Sequence, residues 1–123
     1  MAVKPEIIKR TFSFSLSVLD LCDTVNERPG IGWALSRQLL RAATSVSANV
    51  EEAQAGQSRA DFINKYAIAL KEARETAYWL RLLRDSQKFP NLEDEITELI
   101  GEAGEIARII GAIVVNTRKN TKT

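Results

Sequence analysis

The chain has 123 residues, 45% hydrophobic and 27% charged, which is the size and composition of one globular domain and excludes a disordered or fibrous protein. Its 17 basic and 16 acidic residues give a formal net charge of +1, so the chain as a whole lacks the strong positive charge typical of nucleic-acid-binding proteins. It contains no histidine, which excludes histidine-based di-metal sites, histidine general bases and Ser-His-Asp triads.

Catalytic and cofactor signatures are missing from the sequence. Cys22 is the only cysteine, and its apolar neighbours Leu19, Leu21 and Val25 indicate a small core side chain rather than a reactive thiol. There is no glycine-rich phosphate-binding motif. We therefore expect no enzyme, no catalytic residue, no metal and no cofactor. The amino terminus lacks the apolar run of a signal peptide, and no stretch approaches the ~20 apolar residues that span a bilayer, so we expect a cytoplasmic protein with no membrane partner.

Helical periodicity divides the chain into four segments, separated by Pro29-Gly30, by Gly56 to Ser58 and by Pro90-Asn91. The predicted helices are 4–27, 32–55, 59–88 and 92–117, with Ser58 and Asn91 as N-caps and a frayed polar tail at 117–123. The first segment carries one apolar stripe and a second row beside it: Ile7, Phe14, Val18, Leu21 and Val25, with Ile8, Phe12, Leu19 and Cys22.

The other three segments each carry one stripe at alternating spacings of three and four. In chain order these stripes are Leu35, Leu39, Ala42, Val46, Asn49 and Ala53; Phe62, Tyr66, Ala69, Ala73, Thr76, Leu80 and Leu83; and Leu92, Ile96, Leu99, Ala103, Ile106, Ile110 and Ile113. No segment alternates with period two. Short connections between long helices favour antiparallel neighbours, so the sequence predicts one all-α domain over 1–123, an up-down-up-down four-helix bundle.

A polar row on the second helix is the first candidate site. Asn49 interrupts the apolar stripe, and Arg41, Ser45 and Glu52 flank it. Buried polar groups must be hydrogen-bonded, so these four residues predict either a structural polar network that fixes helix register or the lining of a ligand pocket.

The third helix carries apolar residues on more than one side. Leu80 and Leu83 belong to the core stripe, whereas Ile68, Trp79 and Leu82 lie on a different side and predict an oligomer interface. The alternative is scattered exposed apolar residues on a monomer. Glu72 and Glu75, on the same helix, are interpreted as salt-bridge partners of nearby cations rather than as metal ligands.

A basic row on the third helix is the candidate nucleic-acid site. It consists of one aromatic and four cationic residues: Lys71, Arg74, Tyr78, Arg81 and Lys88. Lysine and arginine neutralise backbone phosphates and Tyr78 could stack on a base, so the row favours RNA or DNA as a partner. It could equally be an ordinary solvated face or the complement of the acidic fourth helix, in which case the protein is a protein-protein interaction module.

Several motifs resemble a known family. The runs LLRAATSVSANVEEAQ at 39–54, SRADFI at 58–63 and IALKEARE at 68–75, followed by Tyr78-Trp79-Leu80, are similar to the four-helix bundle proteins named after intervening sequences of 23S ribosomal RNA. Ser47 stands where the family commonly has proline, and Ala53 where it has glycine. The resemblance implies an antiparallel bundle assembled as a ring-like homopentamer, and it does not imply an enzyme.

Overall fold

The computed structural model describes residues 5–56 and 58–121, and their regular structure is entirely helical. Four long helices follow one another: α1 is Pro5–Val25, α2 is Ile31–Gln54, α3 is Arg59–Asp85 and α4 is Glu93–Thr121. A single 3-10 turn, Pro90–Leu92, precedes α4. None of these helices is long and apolar enough to cross a membrane.

The four helices pack side by side as a bundle around one core. Helix α3 packs against α2 and α4, and α1 packs against α2 and less closely against α4, so α1 and α3 lie diagonally across the bundle. Every helix contributes fully buried side chains, among them Val18 and Leu21 from α1, Leu39 and Val46 from α2, Tyr66 and Leu80 from α3, and Ile106 and Ile110 from α4. Each such aliphatic side chain stabilises the fold by roughly 1.5–3 kcal/mol.

Several helix ends differ from the prediction, and α1 ends at Val25 rather than at residue 27. Helix α3 ends at Asp85 rather than at residue 88, because Gln87 adopts the left-handed conformation with a φ of 59°. The tail predicted to fray from Thr117 is instead helical as far as Thr121. Asn91 lies inside the 3-10 turn rather than capping α4. The predicted residue 4 and residues 122–123 fall outside the described residues.

Two connections are fixed by local chemistry that the sequence contains. The backbone N–H of Asp61 donates to Ser58 Oγ at 3.1 Å, which confirms Ser58 as the N-cap of α3. At the α1–α2 turn, Gly30 has a φ of 84°, and a Cβ on Gly32 would lie 2.4 Å from the carbonyl oxygen of Val25. Only glycine therefore allows α2 to begin so close to the end of α1.

Cys22 is buried in the core, as the sequence indicated. Its thiol lies 3.5 Å from the carbonyl oxygen of Ser36, to which it donates. Burial, with a smaller contribution from the Asp23 carboxylate, raises the pKa of the Cys22 thiol to about 11. The thiol is therefore protonated at neutral pH and acts as a small apolar side chain.

Helix α1 departs from the predicted pattern on its second row. Cys22 is buried and Ile8 partly buried, but Phe12 and Leu19 are about half exposed. The same outer surface carries Leu16, which belongs to neither of the predicted rows and is 49% exposed. Helix α1 thus has one stripe in the core and a second apolar stripe in solvent.

Candidate functional site

The polar row of α2 is divided between two different sets of partners. Arg41 forms ion pairs with Glu75 and, at 3.4 Å, with Glu72 Oε2, both on α3. Eleven residues further along α2, Glu52 pairs with Lys65 Nζ of α3 at 3.5 Å. Two of the four predicted residues therefore join α2 to α3 through separate ion pairs.

Ser45 and Asn49 are not part of either ion pair. Both are partly buried, and Asn49 Nδ2 donates to the carbonyl oxygen of Ser45 at 2.8 Å within α2. Across the described chain, no hydrogen bond links Arg41 or Glu52 to Ser45 or Asn49. The structure therefore does not bring the four residues together into one network.

Glu72 and Glu75 of α3 share Arg41 as their partner. Glu72 is only 8% exposed, and a buried carboxylate must be paired to be tolerated in the fold. Glu75 also accepts a hydrogen bond from Trp79 Nε1 at 3.1 Å. No group of three or more potential metal ligands occurs in the ranges that the structure describes. The sequence pointed to cations on α3 itself and missed Arg41, although its position on the flank of α2 was the available signal.

We call Ile68, Trp79 and Leu82 the α3 apolar face. Ile68 and Trp79 are partly buried, and Leu82 is 40% exposed. The neighbouring Tyr78 is 48% exposed and meets the Trp79 ring edge-on, with ring centroids 5.0 Å apart. Because Trp79 is held by Glu75, which pairs with Arg41 of α2, the α3 apolar face lies on the side of α3 that adjoins α2.

The basic row is exposed along α3. Lys71, Arg74, Tyr78 and Arg81 all lie in solvent, and they cover about 15 Å of helix length at 1.5 Å per residue. Lys88 is also exposed but lies beyond the end of the helix, where its N–H donates to Ser86 Oγ and its carbonyl accepts from Arg28. Four members of the row therefore share one helix surface and Lys88 extends it from the following turn.

The cations of the basic row lack salt-bridge partners in the described ranges, although Arg81 acts electrostatically on the nearby carboxylate of Asp85. Lys71, Arg74, Arg81 and Lys88 form no salt bridge with any residue in the described ranges, whereas the neighbouring Arg84 pairs with Asp85 at 2.9 Å. That pairing, together with a smaller effect of Arg81, lowers the pKa of the Asp85 carboxyl. The positive charge of the row is therefore available to an external anion.

The acidic residues of α4 do not neutralise the basic row within the bundle. Glu102 accepts two hydrogen bonds from Arg10 of α1, at 2.7 and 2.8 Å, and Glu105 pairs with Arg108 on its own helix. Glu95 and Glu98 line the same groove between α1 and α4. The surface formed by Glu95, Glu98 and Glu102 therefore faces α1, on a different side of the molecule from the row, whereas Glu93 lies beside Arg84 at the end of α3.

A second exposed apolar surface was not predicted. Phe12, Leu16 and Leu19 lie at spacings of four and three on α1. Trp33 of α2 lies further along the same side, where its Nε1 donates to the carbonyl oxygen of Asn26, seven residues after Leu19 and just past the end of α1. These four side chains are 52%, 49%, 49% and 58% exposed respectively. We call them the α1–α2 apolar face. The signal in the sequence was the spacing of the three α1 residues, of which Phe12 and Leu19 had been placed in the row beside the apolar stripe.

These features define a small helical bundle with unpaired surface cations and two exposed apolar faces. The family model of the 23S rRNA-intervening sequence protein matches residues 4–112, and the chain belongs to this family. It is also similar to a solved structure described as a protein with unknown function from the S23 ribosomal protein family of Bacteroides thetaiotaomicron. The two are 37% identical with a TM-score of 0.80, over 88% of this chain and 97% of that one. No curated protein matches the chain.

Proposed function

We propose that this protein is a non-enzymatic, homo-oligomeric binding or scaffold protein of the cytoplasm that binds RNA or DNA through the basic row. The observation that carries the proposal is the set of four exposed cations, Lys71, Arg74, Arg81 and Lys88, none of which is paired with a carboxylate in the described structure. Nothing in the family assignment or in the similar solved structure indicates an enzymatic activity.

The proposed assembly is a ring-like homopentamer of antiparallel up-down-up-down bundles. The antiparallel order is supported by the ion pairs between α2 and α3, because Arg41 pairs with Glu75 while the later Glu52 pairs with the earlier Lys65. Self-association is supported by Leu82, which is apolar and 40% exposed on the α3 apolar face. The pentameric number comes from the family resemblance.

Repetition of the basic row around an oligomer explains how an almost neutral chain could bind nucleic acid. Each subunit supplies only a few phosphate contacts, and such contacts are weak alone. Subunits joined in one assembly act on one strand at high effective concentration, so their contacts reinforce one another. The row lies on the exposed surface of a single helix, which favours sequence-tolerant binding with Tyr78 as a stacking platform.

The direct experiment measures binding of labelled single- and double-stranded RNA and DNA by fluorescence anisotropy across a salt series. Wild-type protein is expected to bind all of them, with affinity that falls as salt rises because counterions compete for the phosphates. The double variant Arg74→Glu with Arg81→Glu is expected to lose binding while keeping its helix content and oligomer size.

A matched control separates the basic row from net charge. The double variant Arg59→Glu with Arg118→Glu makes the same change in charge at two exposed, unpaired arginines outside the row. It should lose affinity only slightly. If the wild type fails to bind at low salt, or if the row variant binds as well as the control, the nucleic-acid proposal is wrong. The protein-protein interaction module then becomes the better explanation of the exposed surfaces.

A further inference from the structure

We infer that the α1–α2 apolar face docks against the α3 apolar face of a second copy of the chain, so that copies join head to tail. This inference rests on the proposed self-association and adds the two surfaces that would meet. The occupant of each face is thus another copy, and neither face pairs with itself.

The size of the unpredicted face supports a protein partner. An exposed fraction of about one half on each of Phe12, Leu16, Leu19 and Trp33 leaves roughly 400 Å² of side-chain surface in water, given about 200 Å² for a large side chain. A stable interface uses ~800 Å² per partner, with an apolar centre and a polar rim. The face is therefore large enough to form the apolar centre of an interface.

The arrangement of the two faces favours a head-to-tail contact that curves. They belong to helices that lie diagonally across the bundle, so the two faces point in different directions. Both faces also lie next to α2. The α1–α2 apolar face includes Trp33 of α2, and the α3 apolar face adjoins the Arg41–Glu75 pair between α2 and α3. The directions in which the two faces of one subunit point are therefore less than 180° apart. Each added copy then turns the row of subunits in the same direction. Heterologous contacts with such a bend can close into a ring.

The same arrangement leaves Arg74 and Arg81 of the basic row uncovered. The α3 apolar face lies on the α2 side of α3, whereas Arg84, three residues after Arg81, reaches Thr97 of α4 at 3.5 Å. Arg74 and Arg81 therefore lie toward the α4 side of α3, away from the docking surface. In a curved assembly α2 points inward and α4 outward, which places these two arginines on the outer rim.

Local charge agrees with the proposed pairing. Asp20 and Asp23 lie one helical turn beyond Leu16 and Leu19, and neither forms a salt bridge among the described residues. Lys71 borders Ile68 on the α3 apolar face and is likewise unpaired. A copy docked through these faces would bring carboxylates toward an ammonium group at the rim of the contact, which favours this orientation.

The test mixes two single variants, each defective in one face. Leu16→Glu disables the α1–α2 apolar face, and Leu82→Glu disables the α3 apolar face, while Val115→Glu changes a half-exposed apolar residue of α4 outside both faces. Sedimentation velocity should show assembled wild type and Val115→Glu protein, and monomers of 13.7 kDa for each of the other two alone. The equimolar mixture should form a species of twice that mass and nothing larger, because each mixed pair has one intact contact.

The outcomes separate this inference from the proposed function. A wild type that is monomeric at micromolar concentration contradicts the proposed self-association and this inference with it. A wild type that assembles, with either face variant still dimeric alone or with a mixture that stays monomeric, overturns only the head-to-tail pairing. Circular dichroism of each variant establishes that it is folded, and assembly of the Val115→Glu control establishes that an added surface carboxylate does not itself dissociate the oligomer.

Discussion

Tyr66 offers a sharp test of the core. Its side chain is fully buried and stacks on Phe62, with ring centroids 4.6 Å apart. Among the buried side-chain polar atoms of the described ranges, this hydroxyl is the one that makes no hydrogen bond of normal geometry, although the Gln54 side chain lies close enough to lower its pKa. Burial raises the pKa of Tyr66 to about 12, and the Gln54 side chain counteracts this only in part. Replacing Tyr66 by Phe removes the hydroxyl and keeps the ring.

The expected gain follows from the cost of an unsatisfied buried group, which is about 1–3 kcal/mol. Some of that cost is recovered in contacts of the hydroxyl oxygen, so we expect Tyr66→Phe to raise the free energy of unfolding by about 1 kcal/mol. For a domain of this size the melting temperature should rise by about 3–6 °C. The variant should also keep its packing against Phe62, because the ring is unchanged.

The pH dependence provides a second signature. The pKa of Tyr66 is about 12 in the folded protein and 10 as the ordinary value, so between these values the unfolded state binds fewer protons than the folded state. Wild-type stability must therefore fall as pH rises through this range, by about 1.4 kcal/mol per pH unit and by at most about 2.7 kcal/mol in total. Tyr66→Phe removes this contribution and should be less sensitive to alkali.

Urea unfolding monitored by circular dichroism at about pH 7 and about pH 11 measures both effects. Tyr78→Phe is the matched control, because it makes the same chemical change at a tyrosine that is 48% exposed on the same helix. The control should change stability little at pH 7. A loss of 1 kcal/mol or more in Tyr66→Phe at pH 7 would refute the reasoning, since it would mean that the hydroxyl contributes a favourable hydrogen bond.

Three further changes test the packing of the helices. Gly104→Ala should raise the free energy of unfolding by about 0.5–1 kcal/mol, because its Cβ meets open space and alanine favours helix; a decrease would indicate a close partner there. Gly32→Ala should lower it by about 1–3 kcal/mol, because its Cβ would lie 2.4 Å from the Val25 carbonyl oxygen, and an unchanged urea midpoint would contradict this. A double-mutant cycle on Arg10 and Glu102 should give a coupling energy of about 0.5–1 kcal/mol, because the pair is bidentate but partly exposed; zero coupling would mean that the pair does not join α1 to α4.

The helices were predictable because their signals are local. Apolar spacing along each segment follows from the helical repeat, and Ser58 caps α3 through a hydrogen bond to a residue three positions away. The end of α3 was not predictable in the same way. Residues 86–88 are compatible with helix, and the left-handed conformation of Gln87 reflects how the chain must turn toward Pro90 and α4. That requirement comes from packing between distant segments.

The surfaces were less predictable, because the spacing of apolar residues along a helix does not indicate which neighbouring helix or subunit covers them. Phe12, Leu16 and Leu19 have the same spacing as core residues, yet α1 buries only the stripe that contacts α2 and α4. The partner of Glu72 was missed for a related reason. Cations on the same helix were closer in sequence, but Arg41 is closer in space because α2 and α3 are neighbours.

Different sides of helix α3 pack in the bundle, form the α3 apolar face and carry the basic row. Glu75 lies at the boundary between the first two. Its carboxylate accepts from Arg41 of α2 and from the indole N–H of Trp79, so one residue ties the α2–α3 packing to the position of the α3 apolar face. Arg74, its immediate neighbour in sequence, is exposed and unpaired on the other side. A single helix can therefore close the core, offer an apolar surface and carry the basic row, because the buried stripe from Phe62 to Leu83 fixes its rotation about its own axis and the ion pairs with α2 agree with that rotation.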